Sequence, residues 1–228
     1  TCYFLKSYVK NMTYSVKEIL KIQVAPALGC TEPVAIALAA AAAKSLLPER
    51  DADSIEVWVD PNIYKNGLAV SIPGTSGMTG LAAAAALGAL GGNPALKLEV
   101  LSPIGRDEEA RARQFLREER VKINLLTERQ GLFIRTRVSA GPDVAEAVIE
   151  DLHDNITSLT LNGVPREDQS LLGSVPGASG TGVQDMENWL KKQPLVDLIR
   201  FIDELDADDL KFLEEGIRVN VRLAEQGD

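Results

Sequence analysis

Between Val34 and Leu47 the chain runs through seven alanines, interrupted by one charge at Lys44 and by no glycine or proline. Alanine has the highest helix propensity, so this stretch is a helix before any other consideration enters. It is shorter than the ~20 residues a bilayer span needs, and with apolar residues all round it must be buried inside protein. A turn, Ala25 to Pro33, leads into it. Pro33 suits a first helical turn, and Thr31 or Glu32 can cap the free amides there. Cys30 therefore stands just ahead of a helix N-terminus, where the partial positive charge favours thiolate over thiol. The plainer expectation is a buried, inert cysteine beside a tight turn.

A second alanine helix, Leu81 to Leu90, follows the loop Pro73 to Gly80 and is stopped by Gly91-Gly92 in the manner of a C-cap. Two helices with so little side-chain bulk can approach each other or a sheet closely and form one layer. Ahead of them, Tyr14 to Lys21 has Val16, Ile19 and Leu20 at helical spacing. Pro48 to Asp53 is a loop. Ser54 to Val59 alternates and is rich in β-branched residues, which predicts a strand with Gly67 to Ile72 as its hairpin partner across the Pro61 to Asn66 turn.

Lys97 to Leu101 reads as a third strand and Arg106 to Glu119 as a charged, exposed helix. Val121 to Thr127 and Leu132 to Ser139 suggest a hairpin across Gln130-Gly131. Val144 to Leu152 and Ile156 to Leu161 suggest another, with His153 at its tip; a helix over Asp143 to Leu152 has the same support from periodicity. Asn162 to Gln184, rich in Gly, Pro and Ser, reads as a linker. Its Pro176 to Gly182 run lacks the Gly-Lys-Ser/Thr ending of a phosphate loop and follows no convincing strand, which argues against nucleotide binding. Asp185 to Lys192, Pro194 to Glu204 and Ala207 to Glu225 are helical.

The expected fold class is α+β, a mixed or antiparallel sheet packed with Ala-rich helices and followed by a helical C-terminal segment. Residues 1–11 form an extension, 12–161 the α+β domain, 162–184 the linker and 185–228 the helical segment. The net charge of −9 disfavours nucleic acid and anionic membrane surfaces as partners. Thr1 to Asn11 lacks the features of a secretory signal, and two cysteines provide no disulfide framework. A cytoplasmic location is the economical expectation.

The run Ala27-Leu28-Gly29-Cys30-Thr31-Glu32-Pro33 before an alanine helix resembles the start of the iron–sulfur L-cysteine desulfidase family, relatives of the iron–sulfur L-serine dehydratases. The likeness continues through Asn62 to Gly67, Ile72 to Thr75 and Ala86 to Gly92. Members run to roughly twice this length, so the resemblance implies an N-terminal half.

It implies a 4Fe-4S cluster with Cys30 as one ligand, the others lying in the missing half. The implied reaction is β-elimination on L-cysteine to pyruvate, ammonia and sulfide, or the same chemistry on L-serine. The isolated chain would then be folded but inactive, and a homodimer is a candidate state.

Several residues can meet a small amino acid. The loop around Gly74 and Thr75 offers backbone amides to a carboxylate, or is merely a turn. Glu32, beside Thr31, either pairs with the ammonium or caps its helix. The likeness raises Asn62 and Lys65 as substrate contacts, and Lys65 serves as a base only if burial or charge lowers its pKa. His153 titrates near neutrality and either faces the site or sits on the surface. Against this stands a non-catalytic reading, an amino-acid-binding regulatory domain.

Overall fold

Val57 lies level with Thr136, Thr136 with Ala147 and Ala147 with Leu159, so a single row of buried residues crosses four neighbouring strands. Period-two alternation in each strand puts that row on one face. The computed structural model describes residues 14–167, 170–172 and 181–225. Its strands are β1 (Ser54–Val59), β2 (Val121–Leu125), β3 (Phe133–Ala140), β4 (Asp143–Glu150), β5 (Ile156–Leu161) and β6 (Val164–Pro165). Their order is β2-β1-β3-β4-β5-β6, with β2 parallel to β1 and every other pair antiparallel. The fold class is α+β with a mixed sheet, as the sequence implies.

The helices are α1 (Val16–Gln23), α2 (Thr31–Ser45), α3 (Pro61–Gly67), α4 (Gly80–Gly91), α5 (Arg106–Arg117), α6 (Thr181–Leu190), α7 (Leu195–Arg200) and α8 (Ala207–Glu225). The chain divides into two compact units, Ala27–Pro176 and Thr1–Pro26 with Gly177–Asp228. In the first unit, α2 is buried without a break from Pro33 to Ala43 and packs on α4, β3 and β4. Gly88 of α4 lies so near the backbone of Ala37 that a β-carbon there would overlap the Ala37 carbonyl. The two alanine helices do form one closely spaced layer. Trp58 stands on the opposite sheet face, with the guanidinium groups of Arg135 and Arg137 at 4.0 and 5.1 Å from its ring centre.

Three local expectations are corrected. Pro61–Gly67 is helix α3 rather than a hairpin turn, because the Asp60 side chain accepts from the amides of Asn62 and Ile63 at 2.8 and 3.2 Å and caps it. Gly67 to Ile72 therefore is not a strand beside β1; only Ser71 forms a bridge, to Thr79. Pro94–Glu99 is a short 3-10 segment rather than a strand, begun by the Asn93 side chain accepting from Ala95 N.

The strands β2 and β3 exist but are not a hairpin, since β1 lies between them and pairs with both. A parallel β1–β2 pair needs a long crossover, and α3, α4 and α5 supply it. The β4–β5 hairpin forms as read, which settles Asp143–Glu150 as strand.

The second unit holds α1 and α6 to α8. Ser15 and Glu18 make a reciprocal capping box at the start of α1. Lys17 reaches Asp206 at 2.7 Å, and Asp206 accepts from the amides of Asp208 and Asp209 at 2.9 Å each to begin α8. Of the expected linker, residues 168–169 and 173–180 lie outside the described residues, as does the 1–11 extension. Among the described residues no helix is long and apolar enough to cross a membrane.

Candidate functional site

Cys30 is the N-cap of α2, and neither Thr31 nor Glu32 caps it by side chain. Glu32 instead folds back, so that the Cys30 thiol donates to Glu32 Oε2 at 2.8 Å, with Thr31 Oγ1 donating to the same oxygen at 3.4 Å. The other carboxylate oxygen, Oε1, accepts from the Asn66 carboxamide at 3.1 Å. A partly buried carboxylate thus holds a thiol on one side and an amide on the other.

The electrostatics reverse one expectation. Burial pushes the Cys30 thiol pKa up, and the hydrogen bond to Glu32 and its negative charge add to that rise. A helix N-terminus favours thiolate, yet here removal from water and an adjacent carboxylate win. Cys30 therefore rests as a neutral thiol. Glu32 is held below the usual carboxylate range, the hydrogen bonds from Cys30, its own amide and Asn66 outweighing its burial. His153, partly buried in the β4–β5 turn, is pushed down by burial against the pull of Glu32, Asp154 and Asp60, which leaves its imidazole neutral.

The loop ahead of α4 lies beside this cluster. A β-carbon on Gly29 would stand 2.5 Å from Pro73 Cγ, and Gly29 has φ of +86°, a conformation that also favours glycine. The Cys30 turn and the Pro73 to Gly80 loop therefore touch at one end of the domain. Gly74, at φ +77°, has open space where a side chain would project. Thr75 Oγ1 donates to Ile72 O at 2.7 Å and accepts from Met78 N at 3.2 Å, which shapes the loop from within.

At Ser76 the amide already serves a carboxylate, donating to Glu109 Oε1 at 3.0 Å, while Arg113 donates to Ser76 O at 2.7 Å. The Arg113 guanidinium also bonds Glu109 and, with Ser76, holds its carboxyl below the usual range. This α5 clamp fixes the loop's outer limb.

Asn62 and Lys65 are exposed on α3, outside the hydrogen-bonded cluster. Sequence reasoning missed Asn66, Asp60 and the Glu109–Arg113 clamp. For Asp60 a signal existed: aspartate followed by proline is a helix-start pattern, and its second oxygen accepts from Phe133 N at 2.9 Å, tying α3 to β3. Nothing in the sequence joins Asn66 to Glu32 across 34 positions.

Among the described residues no group of three or more His, Cys, Asp or Glu could hold a metal ion. Cys30 can supply one soft donor.

No family model and no solved structure matches the chain. It is 52% identical over 217 residues to a UPF0597 protein of Desulfatibacillum aliphaticivorans, which covers 95% of the chain and 49% of that relative. A UPF0597 protein of Geobacter sulfurreducens is 38% identical over 212 residues, covering 92% of the chain and 48% of the relative. One from Vibrio campbellii is 37% identical over 215 residues. The chain spans about half the length of the curated relatives it matches. These relatives carry a name that assigns no activity, and they correct the resemblance drawn from Cys30 to Pro33: what the chain matches is UPF0597 proteins, not the N-terminal half of an iron–sulfur L-cysteine desulfidase.

Proposed function

We propose that this chain is the thiol-bearing part of a lyase that acts on a small amino acid by β-elimination, L-cysteine or L-serine being the substrate class. The observation that carries this reading is the hydrogen-bonded run Asn66, Glu32, Cys30, set against the Gly74 loop and within electrostatic reach of a neutral His153. With the family likeness withdrawn, the reading rests on these groups.

Their chemistry suits the task. His153, neutral near pH 7, can accept an α-proton. The backbone around Gly74 and Thr75 presents amides to a substrate carboxylate, and Glu32 presents negative charge to an ammonium. Asn66 holds that carboxylate in place. Lys65 and Asn62, exposed on α3, suit the rim rather than the reacting centre.

The cofactor we propose is a 4Fe-4S cluster with Cys30 as one ligand and the others from the length of the relatives that this chain does not span. The fit is limited to that one position: a partly exposed thiol, softer than any neighbouring donor, that gives up its proton on ligating. Such a cluster supplies an open iron that polarises a thiol or hydroxyl leaving group.

Cys30→Ser in the longest natural form of the protein tests this. After anaerobic reconstitution with iron and sulfide, the variant should lose bound iron and visible absorbance, with sulfide and pyruvate release from L-cysteine falling together. Normal iron with lowered thermal stability would leave Cys30 as packing alone. The raised thiol pKa favours a second reading, an amino-acid-binding domain without turnover. Saturable binding of L-cysteine with no product and no iron would select it.

A further inference from the structure

On the sheet face that carries Trp58, the carboxylates are all engaged. Glu56 accepts from Asn124 at 3.1 Å and pairs with Lys122 at 3.3 Å and Arg137 at 3.8 Å, while Arg137 Nε also donates to Glu146 Oε1 at 2.7 Å. Glu150 takes Arg129 at 2.5 Å and the Thr157 hydroxyl at 3.2 Å. Three carboxylates thus answer three cations, Lys122, Arg137 and Arg129. Arg135 is left over. Among the described residues no carboxylate pairs with it and no acceptor takes its hydrogens.

Arg135 is half-buried in β3, level with Trp58 of β1 on one side and Val148 of β4 on the other, and Phe133 follows two residues away on the same face. Its guanidinium lies 4.0 Å from the Trp58 ring centre, so the indole supports it. Nε is closed off from water without a partner, whereas the two Nη groups, equally unbonded, are not enclosed. A guanidinium supported on an aromatic ring keeps its in-plane edge for an anion. Two N–H groups on that edge match the two oxygens of a carboxylate.

We propose that Arg135 and Trp58 form a binding site for a small monocarboxylate with an apolar body, its carboxylate on the Nη edge and its body on Trp58, Phe133 and Val148. One charge is the limit. Glu146 and Glu150 stand two residues to either side of Val148, so a second negative charge on the ligand, as on dianionic phosphate, would meet like charge. An ammonium finds no free carboxylate, because all three acids are already paired. The ligand therefore differs from the amino acid proposed for the Cys30 site, and the two sites stand or fall separately.

Benzoate is the probe, titrated into the 228-residue chain while the indole N–H signals of Trp58 and Trp189 are followed by NMR. The Trp58 signal, assigned by its loss in Trp58→Phe, should shift saturably while that of Trp189 stays. Benzyl alcohol, with the same ring and no charge, and inorganic phosphate should give no saturable shift over the same range. Arg135→Gln should raise the dissociation constant about tenfold or more, and Arg135→Lys, which keeps the charge without the fork, should raise it by less. Should Arg135→Gln fail to fold, Val148→Glu decides. It puts a carboxylate directly opposite Arg135 and should abolish benzoate binding without lowering the melting temperature. Benzoate that leaves the Trp58 signal unmoved, that binds Arg135→Gln or Val148→Glu as well as the parent chain, or that phosphate or benzyl alcohol matches would overturn the proposal.

Discussion

At Cys30 two effects of comparable reach oppose each other, and the folded surroundings decide between them. Sequence exposes the first, a helix N-terminus that favours charge on sulfur. It hides the second, because nothing in Cys30-Thr31-Glu32 says that the glutamate turns back to accept from the thiol, nor that Asn66 holds it there. The position of the site was legible from one turn and one loop, while its charge state depended on a contact 34 residues away. A direct consequence concerns alkylation. In a Cys2→Ser background, the rate of Cys30 modification by iodoacetamide should rise with pH through a midpoint above that of an ordinary thiol, since the raised pKa keeps the unreactive protonated form through neutrality. Glu32→Gln removes the charge and should move that midpoint down. An unmoved midpoint would assign the whole effect to burial.

The elements were legible where the signal was local. Alanine runs, alternating strands and the helical span of α5 were readable from composition and period, although α5 buries Ala112 and Phe115 where an exposed helix was expected. Pairing was not readable, because β1 separates β2 from β3 and only the crossover through α3 to α5 brings β1 and β2 together. At Lys97 the backbone adopts φ of +52°, a conformation no strand contains, and the apolar spacing of Leu96, Leu98 and Val100 conceals it. Helix α4 and helix α8 each carry an interior glycine, and the two should respond oppositely. Gly88→Ala forces a methyl into the Ala37 carbonyl and should destabilise the domain by about 1–3 kcal/mol in urea unfolding. Gly216→Ala meets open space and should raise helix stability by up to about 1 kcal/mol. Equal effects at both sites would contradict the close approach of α2 and α4.

On the scale of the whole molecule, the buried apolar cluster runs from Val34 to Leu171 and lies within the unit Ala27–Pro176. That unit also holds every residue of the candidate site. Produced alone as residues 27–176, it should unfold in one cooperative thermal transition and keep the high-pH alkylation midpoint of Cys30. A broad, non-cooperative melt, or a thiol with an ordinary midpoint, would show that the remaining residues are needed to build the site.

The unbroken burial of α2 has an evolutionary side. A helix that meets its neighbours through methyl groups can exchange residues only within a narrow range of size, so serine, whose hydroxyl can bond the carbonyl one turn back, is a more accessible neighbour in sequence space than valine or leucine. Drift along Ala39 to Ala43 is therefore steered by volume before polarity, and the lineage that inherits this helix inherits a bottleneck: larger side chains can enter only with a matching retreat on α4 or on the sheet it packs against, two changes at once.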